Sequence, residues 1–254
     1  MSDEVLVERR GAVQVIVINR PEARNALNLA VATAIRDAVD ELDADNELRA
    51  GVLTGAGGIF SAGMDLKAFL RGERPSFPGR GLCGITETPP RKPMIAAVEG
   101  WALAGGFELV LACDLVVAST SARFGVPEVK RSLVAAAGGA LLLPQRIPRA
   151  VALEMLLTGD PIGAERAAEV GLINRLVDDG QATDIAVELA VRIAANGPLA
   201  LTATKDIATH GGDWDGTEKW AKANALMAPV FGSQDAQEGA RAFAEKRPPV
   251  WKGQ

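Results

Sequence analysis

The stretch Ala97–Asp114, AVEGWALAGGFELVLACD, limits the possible folds of this chain more than any other. It begins at the end of an apolar run, Pro93–Val98, whose residue types suit a buried strand. A loop rich in glycine and alanine follows at Gly100–Gly106, and the apolar segment Phe107–Ala112 is long enough for nearly two helical turns. One carboxylate, Glu108, lies inside that segment. The pattern predicts a strand, a tight loop and a buried helix that carries a single acidic group.

The glycines at the start of this helix predict a place where an oxygen atom of a ligand binds. A helix that begins near Gly105 leaves its first N–H groups without intrahelical acceptors and carries a partial positive charge there. Because glycine has no Cβ, a ligand oxygen can approach those N–H groups closely. Under the alternative interpretation, Gly105 and Gly106 only pack a helix on a sheet, and Glu108 is solvated. Two further motifs favour the oxyanion interpretation.

Those motifs are Phe60–Lys67, FSAGMDLK, and Phe124–Glu128, FGVPE. In this order and spacing, the three stretches closely resemble the crotonase (enoyl-CoA hydratase/isomerase) superfamily. The resemblance covers nearly the whole chain. It also includes four shorter segments near the two ends: Asn19–Pro21, Asn25–Leu27, Ser233–Gly239 and Glu245–Pro248.

The resemblance implies an α/β fold, a crotonase-like spiral of repeated ββα units with a helical C-terminal part. We expect the α/β core over residues 1–197 and a helical trimerisation part over 198–254, and hence a homotrimer or a dimer of trimers. In the family the tail, here with Phe243 and Trp251, packs on a neighbour or covers the CoA site. The alternative is that these residues fold back on their own subunit.

The resemblance also assigns the site residues. The N–H groups of Met64 and Gly105 would hold the thioester oxygen, Glu108 would activate water, and Glu128 would deliver a proton to C2. The family pattern implies substrate contacts from ten further residues: Arg24, Ala26, Leu27, Ala62, Asp65, Leu66, Trp101, Leu103, Gly106 and Ala136. Two of these have ordinary structural alternatives, because Arg24 suits a surface loop and Asp65 precedes a helix as an N-cap does.

Hydration of a 2-enoyl-CoA is therefore the expected activity, with CoA bound as part of the substrate and neither cofactor nor metal required. Both Glu108 and Glu128 are present, whereas isomerases of the family commonly use only the carboxylate at the Glu128 position. Isomerisation, or dehydration of a functionalised acyl-CoA, remains the near alternative. An acyl-CoA-binding scaffold without catalysis is an alternative of another class.

One segment departs from the family. A Pro-Gly-x-Gly-Gly sequence is common there, whereas this chain reads Ala135–Gly139, AAAGG. The extra methyl groups should narrow the site and change the preferred acyl group more than the reaction. The segment Arg71–Pro90 is rich in Gly, Pro and Arg, which predicts a loop. In the family this region forms a wall of the acyl pocket, and here Phe77, Leu82 and Ile85 are the candidate lining residues. The alternative is a disordered surface segment.

Composition excludes several other functions. A net charge of −5 and a pI near 5.1 argue against a nucleic-acid surface. No apolar run is long enough for a membrane span, and the first ten residues lack the apolar core of a signal peptide. The two cysteines lack metal spacing, and we expect Cys113 to be a small core residue and His210 to lie on the surface. A cytoplasmic protein is expected.

Periodicity predicts the secondary structure. We expect a helix from Asn28, since apolar residues recur there at intervals of three and four. The predicted strands, besides the one that ends at Val98, are Val5–Glu8, Val13–Ile18, Gly51–Leu53, Leu115–Ala118 and Ala122–Phe124. The predicted later helices are Arg149–Thr158, Ile162–Val170, Asp184–Ala195, Leu199–Ala208, Glu218–Met227 and Asp235–Glu245.

Overall fold

The computed structural model describes residues 3–254 of the chain. The strands in this range are β1 (Val5–Arg10), β2 (Val13–Ile18), β3 (Ala50–Gly55), β4 (Ser76–Phe77), β5 (Gly81–Leu82), β6 (Met94–Val98), β7 (Trp101–Leu103), β8 (Leu115–Ser119), β9 (Arg123–Gly125), β10 (Ile162–Gly163) and β11 (Arg175–Val177). The α-helices are α1 (Leu29–Ala44), α2 (Leu66–Leu70), α3 (Gly105–Ala112), α4 (Gly139–Arg146), α5 (Arg149–Thr158), α6 (Ala164–Glu169), α7 (Ala182–Ala194), α8 (Pro198–His210), α9 (Lys219–Phe231) and α10 (Gln234–Glu245).

Two sheets share the strands of the α/β core. The larger has the order β1-β2-β3-β6-β8-β11, in which the first pair is antiparallel and the others are parallel. The smaller has the order β10-β9-β7. After β6 joins the large sheet, β7 joins the small one before helix α3, and β8 and β9 repeat this division. This alternation is the ββα repeat that the resemblance implies.

The large sheet is buried on both faces, which is usual for parallel strands. One face packs on helix α7, which presents alanines at intervals of four residues to the apolar side chains of the sheet. These alanines are Ala182, Ala186, Ala190 and Ala194. The other face packs on α1 and on helix α3, whose eight residues are all buried. The site helix therefore lies in the larger core.

Three local predictions are wrong. The segment Gly100–Gly106 is not only a loop, since Trp101–Leu103 pairs with β9 as strand β7. Ile162 and Gly163 do not begin a helix, because they pair with β9 as β10 and the helix begins at Ala164. Helix α4 is absent from the prediction, and Pro144 inside it explains why. The other predicted strands and helices are confirmed within a few residues at their ends, and β4, β5 and β11 are further strands that the sequence did not predict.

The segment Arg71–Pro90 is an ordered part of the fold. It holds the two-stranded antiparallel hairpin of β4 and β5, and Cys83 and Ile85 after it are fully buried. The disordered alternative is therefore wrong. Leu82 is 5% exposed and packs in the same core as helix α3.

The C-terminal helices α8–α10 end in a tail that docks on its own chain. The indole Nε1 of Trp251 donates to the Ala195 carbonyl at 2.7 Å. Asp235, at the start of α10, accepts from the backbone N–H groups of Lys252 and Gly253 at 2.7 and 2.8 Å. Trp251 therefore lies against its own subunit, whereas Phe243 is 87% exposed.

No single helix within residues 3–254 is long and apolar enough to span a membrane. Taken together, helices α7 and α8 have the length and apolar composition of a membrane span, but a bend of 108° lies between them.

Candidate active site

The loop before α1 is held in an unusual backbone conformation by a buried asparagine. Asn25 has φ +53° and is fully buried. Its Nδ2 donates to the carbonyls of Ala56 and Ile59 at 2.9 and 2.7 Å, and its Oδ1 accepts from the Arg20 N–H at 2.9 Å. Ser61 Oγ donates to the Asn25 carbonyl at 2.8 Å. These bonds fix the loop against the start of the FSAGMDLK motif.

Leu27 and Met64 form a parallel β-bridge that orients the first predicted oxyanion donor. Leu27 N–H donates to the Gly63 carbonyl at 2.8 Å, and Asp65 N–H donates to the Leu27 carbonyl at 2.9 Å. Successive backbone groups of an extended segment point to opposite sides, so the N–H of Met64 points away from Leu27. Among the described residues it donates to no other group.

The second predicted donor, Gly105, lies beside that free N–H. A Cβ atom at Gly105 would lie 3.7 Å from Met64 N, and one at Gly63 would lie 3.2 Å from Gly105 N. Gly105 is the first residue of α3, where N–H groups have no intrahelical acceptor. The structure thus brings the two predicted oxyanion donors together.

The residue before Gly105 holds a strained conformation. Ala104 has φ +50° and ψ −129°, a region that residues other than glycine rarely occupy. Its N–H donates to the Gly125 carbonyl at 2.9 Å, and its carbonyl accepts from Glu108 N–H at 3.0 Å. Strain of this kind persists only where neighbouring bonds enforce it, and it concentrates at functional sites.

Glu108 is buried, with 3% of its surface exposed, so the solvated alternative is wrong. Its Oε1 accepts two hydrogen bonds from the loop that leads into α4, from Ala137 N–H at 2.8 Å and Gly139 N–H at 2.9 Å. Burial raises the pKa of Glu108 to about 7, the Gly139 and Ala137 bonds oppose that rise, and repulsion from Glu128 adds to it. The carboxyl group therefore exchanges protons near neutral pH.

Glu128 is the second carboxyl group, and it comes from a different segment. Pro127 opens a short 3-10 turn, Pro127–Arg131, and Glu128 is its second residue. Burial raises the pKa of Glu128 above its usual value. Its Oε2 is buried and has no hydrogen-bond partner among the described residues. A buried carboxylate oxygen without a partner is costly, so this atom is suited to a ligand or a water molecule.

The structure distributes the predicted substrate contacts around this centre. Gly106 packs so tightly on Ser61 that a Cβ would lie 2.5 Å from the Ser61 carbonyl oxygen, which is the packing role of the alternative interpretation. Arg24 is exposed and left-handed, and its carbonyl accepts from Ala62 N–H at 3.0 Å. Asp65 caps α2 through its Oδ1, as its alternative proposes, at 3.0 Å from the N–H groups of Lys67 and Ala68.

The remaining predicted contacts are strand, loop and helix residues near the donors. Trp101 is 44% exposed on β7 and its carbonyl accepts from Ser61 N–H, while Leu103 N–H donates to the Ser61 carbonyl. Leu66 is 53% exposed at the start of α2. Ala26 is half-buried, and Ala136 is exposed in the loop before α4. The roles of these five residues as substrate contacts stay predictions.

Of the three residues proposed from the 71–90 segment, Leu82 reaches the donors. Its Cδ2 lies 2.9 Å from the Cβ position of Gly105. Phe77 instead stacks on the Arg36 guanidinium, 4.4 Å from its ring centre, and Ile85 lies inside the core. Leu82 is therefore an apolar side chain beside Gly105, together with Leu27, whose Cδ1 lies 3.5 Å from the same position.

Residues outside this centre behave as ordinary structure. Cys113 is buried, which raises the pKa of its thiol to about 12 and makes it a core residue. His210 is the last residue of α8 rather than part of the following loop, and it pairs with Asp206 at the surface. The part of the chain that the structure describes contains no group of three or more His, Cys, Asp or Glu residues placed to hold a metal ion.

The sequence interpretation missed two contributions. It did not identify the N–H groups of Ala137 and Gly139 as the hydrogen-bond donors of Glu108. It also predicts no role for Arg20, although the Arg20 side chain contacts both the Ala26 carbonyl and Asp65. An arginine at the end of an apolar strand, followed by Pro21, was the available signal.

Comparison with known proteins gives a consistent assignment. The profile of the family "Enoyl-CoA hydratase/isomerase" matches residues 8–254. Enoyl-CoA hydratase EchA19 of Mycobacterium tuberculosis is 44% identical over 97% of this chain and 95% of that protein. A carnitinyl-CoA dehydratase of Salmonella enteritidis is 41% identical over the full length of both chains.

The same result comes from solved structures. The crystal structure of an enoyl-CoA hydratase from Mycobacterium tuberculosis H37Rv superimposes with a TM-score of 0.97 at 56% identity, over all of both chains. The crotonase-like α/β fold is thereby confirmed. This chain therefore belongs to the enoyl-CoA hydratase/isomerase family of enzymes.

Proposed function

We propose that this chain is a 2-enoyl-CoA hydratase that adds water reversibly across the 2,3 double bond of the thioester. One observation carries the proposal: two carboxyl groups of raised pKa, the buried Glu108 and the half-buried Glu128, accompany a pair of adjacent backbone N–H groups, those of Met64 and Gly105. Isomerisation needs one acid–base group, whereas hydration uses two, one for the water and one for C2.

The chemistry follows from these groups. The thioester oxygen accepts from the N–H groups of Met64 and Gly105, which stabilise the negative charge that develops on it in the enolate. Glu108, in its ionised form, takes a proton from water, and the oxygen of that water bonds to C3. Glu128, in its protonated form, gives a proton to C2, so that one water molecule is consumed. In the reverse direction, the same groups dehydrate a 3-hydroxyacyl-CoA.

The Glu108 contacts suit the role of a base. Its Oε1 is held by two N–H groups, which fixes the direction of the carboxyl group while Oε2 is the oxygen left to handle the water. Repulsion from Glu128 favours the state in which the pair holds one proton. That state supplies one base and one acid together, as hydration requires. No metal or redox cofactor enters this scheme, and CoA is the handle of the substrate.

We further propose that the acyl group is uncharged. One relative is named for carnitinyl-CoA, and carnitine carries a quaternary ammonium, which proteins commonly bind with aromatic faces. The chain has no tyrosine. Phe60, Phe107 and Phe124 are fully buried, and Phe69 and Phe77 already stack on arginines. Trp101 near the donors is one exposed aromatic side chain, whereas quaternary ammonium groups are commonly held in cages of several. Leu82 against the donors suits an aliphatic group instead.

The assembly and location are also proposals. Exposed aromatic side chains on the C-terminal helices support a trimer or a dimer of trimers: Trp220, Phe231 and Phe243 are 73%, 79% and 87% exposed. Two buried, unpaired cysteines suit the reducing cytoplasm.

A panel of thioesters tests the function. Purified protein is mixed with linear and branched 2-enoyl-CoA esters and with the 2-enoyl-CoA that dehydration of carnitinyl-CoA gives, and the loss of enoyl-thioester absorbance is followed. We expect turnover of at least one uncharged aliphatic ester and product identified as the 3-hydroxyacyl-CoA. A shifted double bond in the product would instead identify an isomerase. Binding of the esters without turnover of any would support the scaffold.

A further inference from the structure

Arg20 lies at the centre of the contacts that join the two halves of this site. It follows β2, and its side chain is 14% exposed. Its Nη1 donates to the Ala26 carbonyl at 2.6 Å and to Asp65 Oδ2 at 3.1 Å, and its Nη2 donates to the same Oδ2 at 3.2 Å. Its Nε forms an ion pair with Glu4 at 3.1 Å. All three nitrogens of the guanidinium are therefore engaged.

The two groups that Arg20 joins flank the Leu27–Met64 bridge. Ala26 immediately precedes Leu27, and Asp65 immediately follows Met64. The bridge orients the Met64 N–H, because its two hydrogen bonds join the Leu27 backbone to Gly63 and Asp65, the residues on either side of Met64. Because the Arg20 guanidinium bonds to both Ala26 and Asp65, it fixes the register between the segments that contain Leu27 and Met64.

Asp65 makes this connection rigid. Its Oδ1 is used at the N-terminus of α2, where it accepts from Lys67 and Ala68, and its Oδ2 is used by Arg20. Backbone bonds at the start of α2 together with Arg20 keep the pKa of Asp65 below its usual value, so it stays ionised. The guanidinium of Arg20 and both carboxylate oxygens of Asp65, the residue next to Met64, are thus all engaged in hydrogen bonds or ion pairs.

We infer that Arg20 is a positioning residue for the hydration reaction: it sets the direction of the Met64 N–H that stabilises the enolate, and it holds the Ala26 loop in register with that donor. This inference rests on the proposed hydratase function. Lysine cannot replace Arg20, because a single ammonium group cannot donate to the Ala26 carbonyl and to Asp65 and also pair with Glu4, as the three nitrogens of the guanidinium do.

The test compares Arg20→Lys with wild type on the best ester of the panel. We expect kcat to fall about 10- to 100-fold, since small displacements of a reacting group cost rates of this order, with KM changing by less. In Arg20→Ala, added guanidinium should recover part of the lost kcat. Asp65→Asn keeps the helix cap, because asparagine caps as well as aspartate, and should lose kcat in the same direction as Arg20→Lys.

A matched control separates positioning from stability. Lys205 pairs with Asp114 at 2.7 Å, with side chains 13% and 26% exposed, close to the 14% and 15% of Arg20 and Asp65. Lys205→Met should lower the melting temperature as Arg20→Lys does but keep kcat within about twofold of wild type.

Two outcomes overturn different claims. If the wild type turns over and Arg20→Lys keeps the wild-type kcat, the positioning role is wrong while the hydratase function stands. If Arg20→Lys does not fold, Asp65→Asn decides the matter in the same way, and wild-type kcat in that variant overturns the inference. If the wild type hydrates no ester, the proposed function itself has failed.

Discussion

Glu108 Oε1 accepts a hydrogen bond from the backbone N–H of Gly139 at 2.9 Å, so the carboxyl group of α3 is held by the first residue of α4. The contact leaves no room for a side chain at position 139. A Cβ there would lie 2.8 Å from Ala135 Cβ and 3.1 Å from Glu108 Oε1. The direction of the Glu108 carboxyl group therefore depends on a glycine in another helix.

Gly139→Ala should disturb that arrangement without removing any functional group. The new methyl group must displace Ala135 or the Glu108 carboxyl group, and we expect kcat for hydration to fall about 10- to 100-fold with a smaller change in KM. Gly197→Ala is the control, because its Cβ would meet nothing closer than 3.9 Å and Gly197 has φ −60°, which alanine adopts freely. Equal kcat in both variants would show that the Gly139 contact does not guide Glu108.

The raised pKa of Glu108 predicts how stability depends on pH. Its folded-state pKa of about 7 lies above the ordinary value of 4.5 for this carboxyl group, so the folded protein holds the proton more tightly than the unfolded chain does. Between these values the unfolded state loses the proton first, and the free energy of unfolding therefore falls as pH rises. The loss approaches about 3 kcal/mol at and above pH 7.

Glu108→Gln should remove that loss. Urea unfolding of wild type and variant at several pH values from 5 to about 8 gives the difference between the two stability curves. We expect the free energy of unfolding of Glu108→Gln, relative to that of the wild type, to increase as pH rises. In the same pH range, kcat/KM of the wild type should increase toward pH 7 as Glu108 ionises, and it should fall again at higher pH as Glu128 loses the proton that it gives to C2. A difference curve that is flat with pH would contradict the raised pKa.

The sequence assigns roles at this site, whereas the contacts that hold the groups come from the structure. The roles of Met64, Gly105, Glu108 and Glu128 follow from the resemblance of three motifs to a family, and they stay predictions. The contact between Glu108 and Gly139 joins residues 31 positions apart, and no local pattern records it. The contact of Arg20 with Asp65, 45 positions apart, escaped for the same reason.

The fold shows a similar limit. Long amphipathic helices such as α1 were predicted because the period of their apolar residues is itself local. Strands of two or three residues, such as β7 and β10, exist only because β9 offers them hydrogen bonds. Tertiary pairing of this kind overrides the weak propensity of glycine and alanine.

Leu82 predicts the preference for the acyl group. Since its Cδ2 lies 2.9 Å from the Cβ position of Gly105, it limits the space beside the thioester. Leu82→Ala should raise kcat/KM for branched esters relative to linear ones by roughly tenfold, the scale of one or two methylene groups in a pocket. The wild type, with Ala135 and Ala136 beside the site, should not prefer the shortest linear ester. Crotonyl-CoA as the best substrate of the wild type would contradict this.

Phe243 predicts the assembly. A phenylalanine 87% exposed on α10 is expected to be covered by a second copy of the chain. Light scattering at micromolar concentration should give the mass of a trimer or hexamer, and Phe243→Lys should shift the distribution toward the monomer. A monomeric wild type would contradict the proposed assembly.

The pair of carboxyl groups gives the most discriminating experiment. Glu128→Gln keeps the size of the side chain but removes the proposed acid for C2, and it should lower kcat by roughly 10²–10⁴ with KM little changed. Glu108→Gln should do similar damage by removing the base. Because the two groups act as a unit in the same addition, the double variant should lose far less than the product of the two single losses.

Each competing function predicts a different pattern of rates. An isomerase should lose its activity in Glu128→Gln and keep most of it in Glu108→Gln. A scaffold should show no turnover in the wild type and unchanged binding of CoA thioesters in both variants. The two proposed N–H donors, Met64 and Gly105, remain intact in every variant, so the residual rate of the double variant reports these donors and substrate binding without either carboxyl group. Full activity in Glu128→Gln would remove the acid from the mechanism and, with it, the reason for two carboxyl groups in one site.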